Sequence, residues 1–150
     1  FVPVALFGIM NCCGGTGNTL ALCVMGLFSK SEQIKAVSKA AVVPGIFNIN
    51  EPATFGYPIM YNPTLAIPFV INPLITICYF GYMVGFFKPA FTMITATLPV
   101  GVSPYLCTLS WTNILIPVIA FIVAWVVYRP FFKVYERDLI AKEQEAKEVA

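Results

Sequence analysis

The feature that most restricts the fold of this chain is where its charges are missing. Residues 1–29, 52–87 and 89–128 contain no Asp, Glu, Lys or Arg. Each run exceeds the roughly 20 residues that carry a helix across the hydrocarbon core of a bilayer. A soluble domain averages about 25% charged residues; this chain has 11%, with 59% hydrophobic residues and a mean hydropathy of +0.82. In hydrocarbon every backbone N–H and C=O must be satisfied internally. The expected fold class is therefore an all-α membrane protein. Prolines and glycines punctuate the apolar runs, so discontinuous helices and one or two re-entrant hairpins are expected among the transmembrane helices.

The charges that exist orient the chain. Lys30, Lys35 and Lys39 share one segment, and Arg129, Lys133 and Arg137 follow the last apolar run. The positive-inside rule assigns both clusters to the cytoplasm, which demands an even number of crossings between them. An outward span over about 64–87 and an inward one over 111–128 satisfy that parity and leave the tail, residues 133–150, in the cytoplasm. A net charge of +2 with no basic stripe argues against nucleic acid. There is no histidine, and Cys12, Cys13, Cys23, Cys78 and Cys107 lie in apolar surroundings without metal-ligand spacing. No metal or other cofactor is expected. The chain opens on Phe1-Val2-Pro3 in mid-helix composition, with no positive n-region. It reads as the C-terminal part of a larger protein.

Along the chain, GGTGNT at residues 14–19 precedes an apolar helix. Glycines there permit close backbone packing or exposed N–H groups for an anion, and Thr16 or Asn18 is placed to cap the helix. The GK[ST] ending of a phosphate-binding P-loop is missing, which favours packing. In SKSEQIKAVSKA, Ile34, Val37 and Ala41 fall on one face opposite the lysines, predicting a short amphipathic helix at the cytoplasmic surface, against lipid or simply solvated. Pro44 is expected to end it. Asn72-Pro73 is expected to break or kink the span that follows, and residues 90–110 form a second broken stretch. Trp111, Trp125 and Tyr128 are expected as interfacial anchors of the last span. The tail reads as a short helix fraying into solvent.

The segment from Pro44 to Pro58, PGIFNINEPATFGYP, holds Glu51, the sole acidic residue between Glu32 and Glu136. An ionisable group on a broken segment inside a membrane-class chain marks a site. A carboxylate in a half-dry pocket grips a hydroxyl through charge-assisted hydrogen bonds. The flanking amides of Asn48 and Asn50 can both donate and accept, which suits vicinal hydroxyls. The alternative is a structural Glu51 that only closes the hairpin. Asn62 and Asn72 each precede a proline, and divide evenly between site residues and partners for freed backbone groups. Phe55, Tyr57 and Tyr61 are candidates for stacking on the apolar face of a ligand or for plain packing.

These residues carry a resemblance. GIFNINEPATFGYPIMYNP, preceded by GGTGNTLAL and SKSEQIKAVSK and followed by YRPFFKVYE, resembles the membrane-embedded IIC component of bacterial sugar phosphotransferase systems of the lactose/cellobiose/diacetylchitobiose type. The resemblance spans about Gly14 to Phe132. It implies a homodimeric permease in the bacterial cell membrane, with residues 1–132 in its C-terminal, sugar-binding half. A cytoplasmic EIIB partner carrying a phosphocysteine would phosphorylate the C6 hydroxyl of a bound disaccharide. Glu51 matches the family's pocket glutamate, beside the reacting hydroxyl. The family's pocket histidine has no counterpart here, so residues 1–150 alone should not be an active enzyme. Where the family reads VPWTTP, this chain has Leu98-Pro99-Val100-Gly101-Val102-Ser103, which replaces a sugar-covering tryptophan with Val100. Two other readings stay open from the residues alone. One is a secondary transporter of a polar solute with Glu51 as its proton or cation site; the other is a membrane scaffold.

Overall fold

A computed structural model describes residues 12–82 and 98–149. Among the described residues, six α-helices run in the order α1 (Leu20–Leu27), α2 (Glu32–Ile46), α3 (Glu51–Gly56), α4 (Pro63–Tyr82), α5 (Val102–Thr108) and α6 (Leu115–Val149). Single 3-10 turns at Ile59–Tyr61 and Trp111–Ile114 precede α4 and α6, and the described residues contain no strand. The last five residues of the expected first span, the first eight of the second broken stretch, and residues 1–11 lie outside the described residues. The expected class, an all-α membrane protein with discontinuous helices, is the observed one. α1 packs on α2 and α6, α4 lies along α6, and α3 sits on α2.

α2 shows how local chemistry sets the boundaries. Ser31 is its N-cap and accepts from the Ile34 N–H at 3.3 Å, with Glu32 in the first turn. Pro44 does not end the helix, which continues to Ile46. The stop comes from Asn48, whose φ of +60° places it in the left-handed region. Its N–H donates to Gly45 O at 3.0 Å, and the Ile49 N–H reaches back to Pro44 O at 3.0 Å. That pair is a Schellman closure, with asparagine in the position glycine usually takes. The buried face of α2 is Ile34, Ser38, Ala41 and Gly45. Val37, half-buried, packs on α3, where a side chain on Gly56 would come within 2.4 Å of it. The apolar stripe thus meets α1 and α3. Ser38 also donates to Ile34 O and forms a short hydrogen bond with the buried Tyr57 hydroxyl, tying α2 to the end of α3.

α4 starts on Pro63, with the Asn62 side chain accepting from the Thr64 N–H at 3.0 Å. Asn62 is therefore a partner for backbone at a helix start. The helix does not break at Asn72-Pro73; it passes through both Pro68 and Pro73 to Tyr82. Each proline removes one backbone hydrogen bond, and packing along α6 holds the element together. Both prolines are buried. Asn72 is fully buried beside Tyr128, with neither amide atom in hydrogen-bond geometry to any described group. Twenty residues of α4 extend about 30 Å, a bilayer core's thickness. On α6, Leu115, Val118, Ile122 and Val126 form an exposed apolar row, as a lipid- or partner-facing helix requires.

Two expectations for the end of the chain are corrected. Tyr128 is fully buried rather than interfacial, and its hydroxyl donates to Gly17 O at 2.9 Å. The tail does not fray: α6 continues through Pro130 to Val149 without a break near residue 132. Its acidic residues explain why. Glu136 Oε1 accepts from the Ser29 hydroxyl at 2.6 Å and the Lys30 N–H at 2.8 Å. One heptad on, Glu143 Oε1 accepts from the Ser31 hydroxyl at 2.6 Å and the Gln33 N–H at 3.2 Å. The tail is a strut clamped to the turn between α1 and α2. The Ser31 hydroxyl, then the Gln33 N–H, holds the Glu143 carboxyl below its ordinary value of 4.5. A depressed carboxylate pKa stabilises the folded clamp at and above the ordinary value, and that contribution disappears as pH falls through the lowered one. The protection of the Gln33 amide, taken relative to its intrinsic exchange rate at each pH, should therefore persist at neutral pH and fall away only below about pH 4.5. Glu143→Gln should reduce that protection several-fold already at neutral pH. Unchanged exchange in that variant would mean the clamp does not hold the turn.

Candidate functional site

Three stretches without regular helix converge at the α2–α3 junction. The first is residues 12–19, containing GGTGNT, where Gly14, Gly15, Gly17 and Asn18 all have positive φ. The second is the link of residues 47–50. The third is residues 98–101, ending in the left-handed Gly101. The two asparagines stitch them together. Asn48 Oδ1 accepts from the Gly14 N–H at 3.0 Å, and its Nδ2 donates to Leu98 O at 3.1 Å. Asn50 Nδ2 donates to Thr16 O at 2.9 Å. The Val100 N–H adds a bond to Ile46 O at 2.8 Å. Backbone freed from helices inside a membrane protein has to be satisfied in this way or by lining a cavity.

The glycine-rich loop packs closely rather than cradling phosphate. A Cβ on Gly15 would stand 2.8 Å from Asn48 O, and one on Gly17 2.3 Å from the Phe69 ring. Neither Thr16 nor Asn18 caps α1. Thr19 holds the N-cap position, and its hydroxyl donates to Gly14 O at 2.7 Å. Asn18, fully buried, accepts from the Cys13 N–H at 3.3 Å and donates to Thr76 Oγ1 at 3.2 Å. Its side chain fastens the loop to α4. The loop's role as the floor beneath the asparagines was not anticipated from sequence, although its three closely spaced glycines were the available signal.

Glu51 stands at the rim of this junction. It is the first residue of α3, with Asn50 at the N-cap and Pro52 next. Proline is well placed there, since the first-turn N–H groups have no partner within the helix. The carboxylate is exposed rather than seated in the half-dry pocket expected of it, because it sits on the outward side of the first turn of α3; no described residue bonds to it or pairs with it. All three predicted site residues are thus brought together. Glu51 is free to act on a ligand, Asn50 keeps its Oδ1 free, and each amide atom of Asn48 already holds one backbone group. Of the aromatic candidates, Tyr57 is fully buried and cannot stack on a ligand, whereas Phe55 is 77% exposed. Val100 lines an apolar groove of about 350 Å³ with Cys13, Leu20 and Phe121. Cys12, Cys13 and Cys23 are buried free thiols. The described residues hold no cluster of three or more metal-ligating side chains.

Broken segments that meet beside a carboxylate without a partner among the described residues follow the pattern in which membrane helices interrupted by irregular backbone carry polar sites. Comparison with known proteins points to one family. Residues 6–73 match the family model for the phosphotransferase system EIIC component. The chain is 42% identical over 137 residues to the lichenan permease IIC component of Bacillus subtilis (strain 168), covering 88% of this chain and 30% of that protein. It is 38% identical over 143 residues to the lactose-specific EIICB component of Lacticaseibacillus casei, covering 91% of this chain and 24% of the relative. Against the crystal structure of the transporter ChbC, the IIC component of the N,N'-diacetylchitobiose-specific phosphotransferase system, the fold superposes with a TM-score of 0.83 at 34% identity. That match covers 93% of this chain and 34% of the other. Over most of its length the chain is thus similar to components of the phosphotransferase system EIIC family, and residues 6–73 match that family's model. The chain spans 30% and 24% of the length of the two curated relatives just described.

Proposed function

We propose that the protein containing this chain takes up a sugar across the bacterial cell membrane and releases it inside as its 6-phosphate. The substrate class is a disaccharide such as cellobiose, lactose or diacetylchitobiose, and residues 1–132 belong to the C-terminal, sugar-binding half of a homodimer. The observation that carries the reading is the Glu51 carboxylate, without a partner among the described residues, on a junction of helix breaks that the Asn48 and Asn50 amides hold together. A relative of the same family named as cellobiose-specific, from Geobacillus stearothermophilus, is 39% identical over 136 residues.

In the proposed reaction, Glu51 accepts a hydrogen bond from the C6 hydroxyl and holds its oxygen toward the phosphocysteine of a cytoplasmic EIIB protein. The new O–P bond forms as the S–P bond breaks, the thiolate stays on EIIB, and the hydroxyl proton passes to a base supplied outside residues 1–150. Alignment and charge stabilisation provide most of the acceleration in phosphoryl transfer. Asn50 offers Oδ1 to a neighbouring hydroxyl. Asn48, with one N–H and one acceptor lone pair to spare, contacts the sugar while fixing the loop that carries Glu51. Lys30, just past α1, and Arg129 and Lys133 on α6 face the cytoplasm by the positive-inside rule, on the side from which EIIB approaches.

Membrane vesicles carrying the full-length protein test the reading. With phosphorylated EIIB and labelled disaccharide, the label should appear inside as sugar phosphate, and a protonophore should leave uptake intact. Free sugar accumulating inside, with uptake abolished by the protonophore, would replace group translocation with proton-coupled transport through Glu51.

A further inference from the structure

Where α6 leaves its uncharged run, the first two charged residues are cations one turn apart, Arg129 and Lys133. They border a groove of about 500 Å³ whose walls include Met25, Phe28, Trp125 and Phe132. Phe28, at the C-terminal end of α1, is 80% exposed. Neither cation has an ion-pair partner among the described residues, where the pairs are Lys35–Glu32 and Arg137–Asp138. The one acidic residue on the groove, Glu136, has its Oε1 engaged by Ser29 and Lys30. Like charges four residues apart on a helix repel, unless an anion sits between them.

The position decides the anion's class. The groove lies at the end of the apolar run of α6, where a membrane helix emerges into the headgroup region. Its lower wall is aromatic and thioether, and its upper rim is cationic. A soluble anion would leave the apolar wall uncovered, and a zwitterionic lipid would bring no net charge to the cations. We propose that this groove binds an anionic phospholipid. Arg129 and Lys133 hold the headgroup phosphate, the guanidinium as a two-pronged donor and the ammonium as a point charge. An acyl chain lies on Phe28, Met25 and Trp125. The bound lipid would bridge the end of α1 to α6, next to the Glu136 clamp.

Native mass spectrometry of the full-length protein in detergent, with phosphatidylglycerol or phosphatidylcholine added, tests this directly. Wild-type protein should retain phosphatidylglycerol at least several-fold better than phosphatidylcholine. Arg129→Ala combined with Lys133→Ala should erase that preference, whereas Arg129→Lys combined with Lys133→Arg should keep most of it. Phe28→Ser should weaken phosphatidylglycerol retention without creating a preference for phosphatidylcholine. Equal retention of the two lipids by wild-type protein, or undiminished preference in the double alanine variant, would overturn the proposal. So would complete displacement by millimolar glycerol phosphate, since the site would then read a headgroup alone. Sugar binding, measured on the same samples, should be unaffected, which separates this outcome from any failure of the Glu51 reading.

Discussion

Glu51→Gln in the full-length protein should lower kcat/KM for sugar phosphorylation by roughly 10- to 150-fold. The substitution keeps the size of the side chain and one hydrogen-bonding oxygen but removes the charge. A hydrogen bond to a charged group contributes about 1.5–3 kcal/mol, and the exposed carboxylate has no competing partner among the described residues. Glu51→Asp keeps the charge and withdraws it by about one methylene; a loss of at least about tenfold, near 1.4 kcal/mol, is expected. Steady-state kinetics with phosphorylated EIIB, together with equilibrium sugar binding, distinguish the roles. If both variants express, dimerise and turn over like wild type, Glu51 only starts α3, and the proposed site is lost with it.

The second large effect concerns the loop beneath the site. Gly17 has a φ of +83°, and a Cβ there would stand 2.3–2.9 Å from atoms of the Phe69 ring. Gly17→Ala should cost about 1–2 kcal/mol for the left-handed backbone and a further 1–3 kcal/mol for overpacking a buried ring. The Gly17 carbonyl also receives the Tyr128 hydroxyl, so movement of the loop disturbs α6. Gly45→Ala is the matched control, because its Cβ would meet only the flexible Cδ1 of Leu20, at 3.2 Å. Thermal unfolding in detergent should show a clearly lower midpoint for Gly17→Ala and a small shift for Gly45→Ala. Equal midpoints would mean that the loop relaxes freely and does not brace the junction.

Several elements were legible because they depend on nearest neighbours or on solvent class. Uncharged runs announce membrane helices, and the three- and four-residue spacing of Ile34, Val37 and Ala41 announces α2. Others depend on partners distant in sequence. Pro44 and Pro73 look like helix breaks, yet α2 and α4 pass through them. The real stop of α2 is Asn48, whose left-handed conformation is supported by bonds to Gly14 and Leu98. Tyr128 looks like a belt residue because amphipathic aromatics favour interfaces, but a carbonyl 111 positions away accepts its hydroxyl. The tail looks solvated because it is charged; two of its carboxylates have buried serines as partners.

The amino-acid order alone determined the solvent in which this protein folds, its helical class and the isolation of a single carboxylate at position 51, since those follow from hydrophobicity and charge summed along the chain. Tertiary structure decided where helices end, which polar groups are already taken and which remains free. Backbone groups released by prolines and glycines find partners 34 to 50 residues away, and no local pattern encodes that choice.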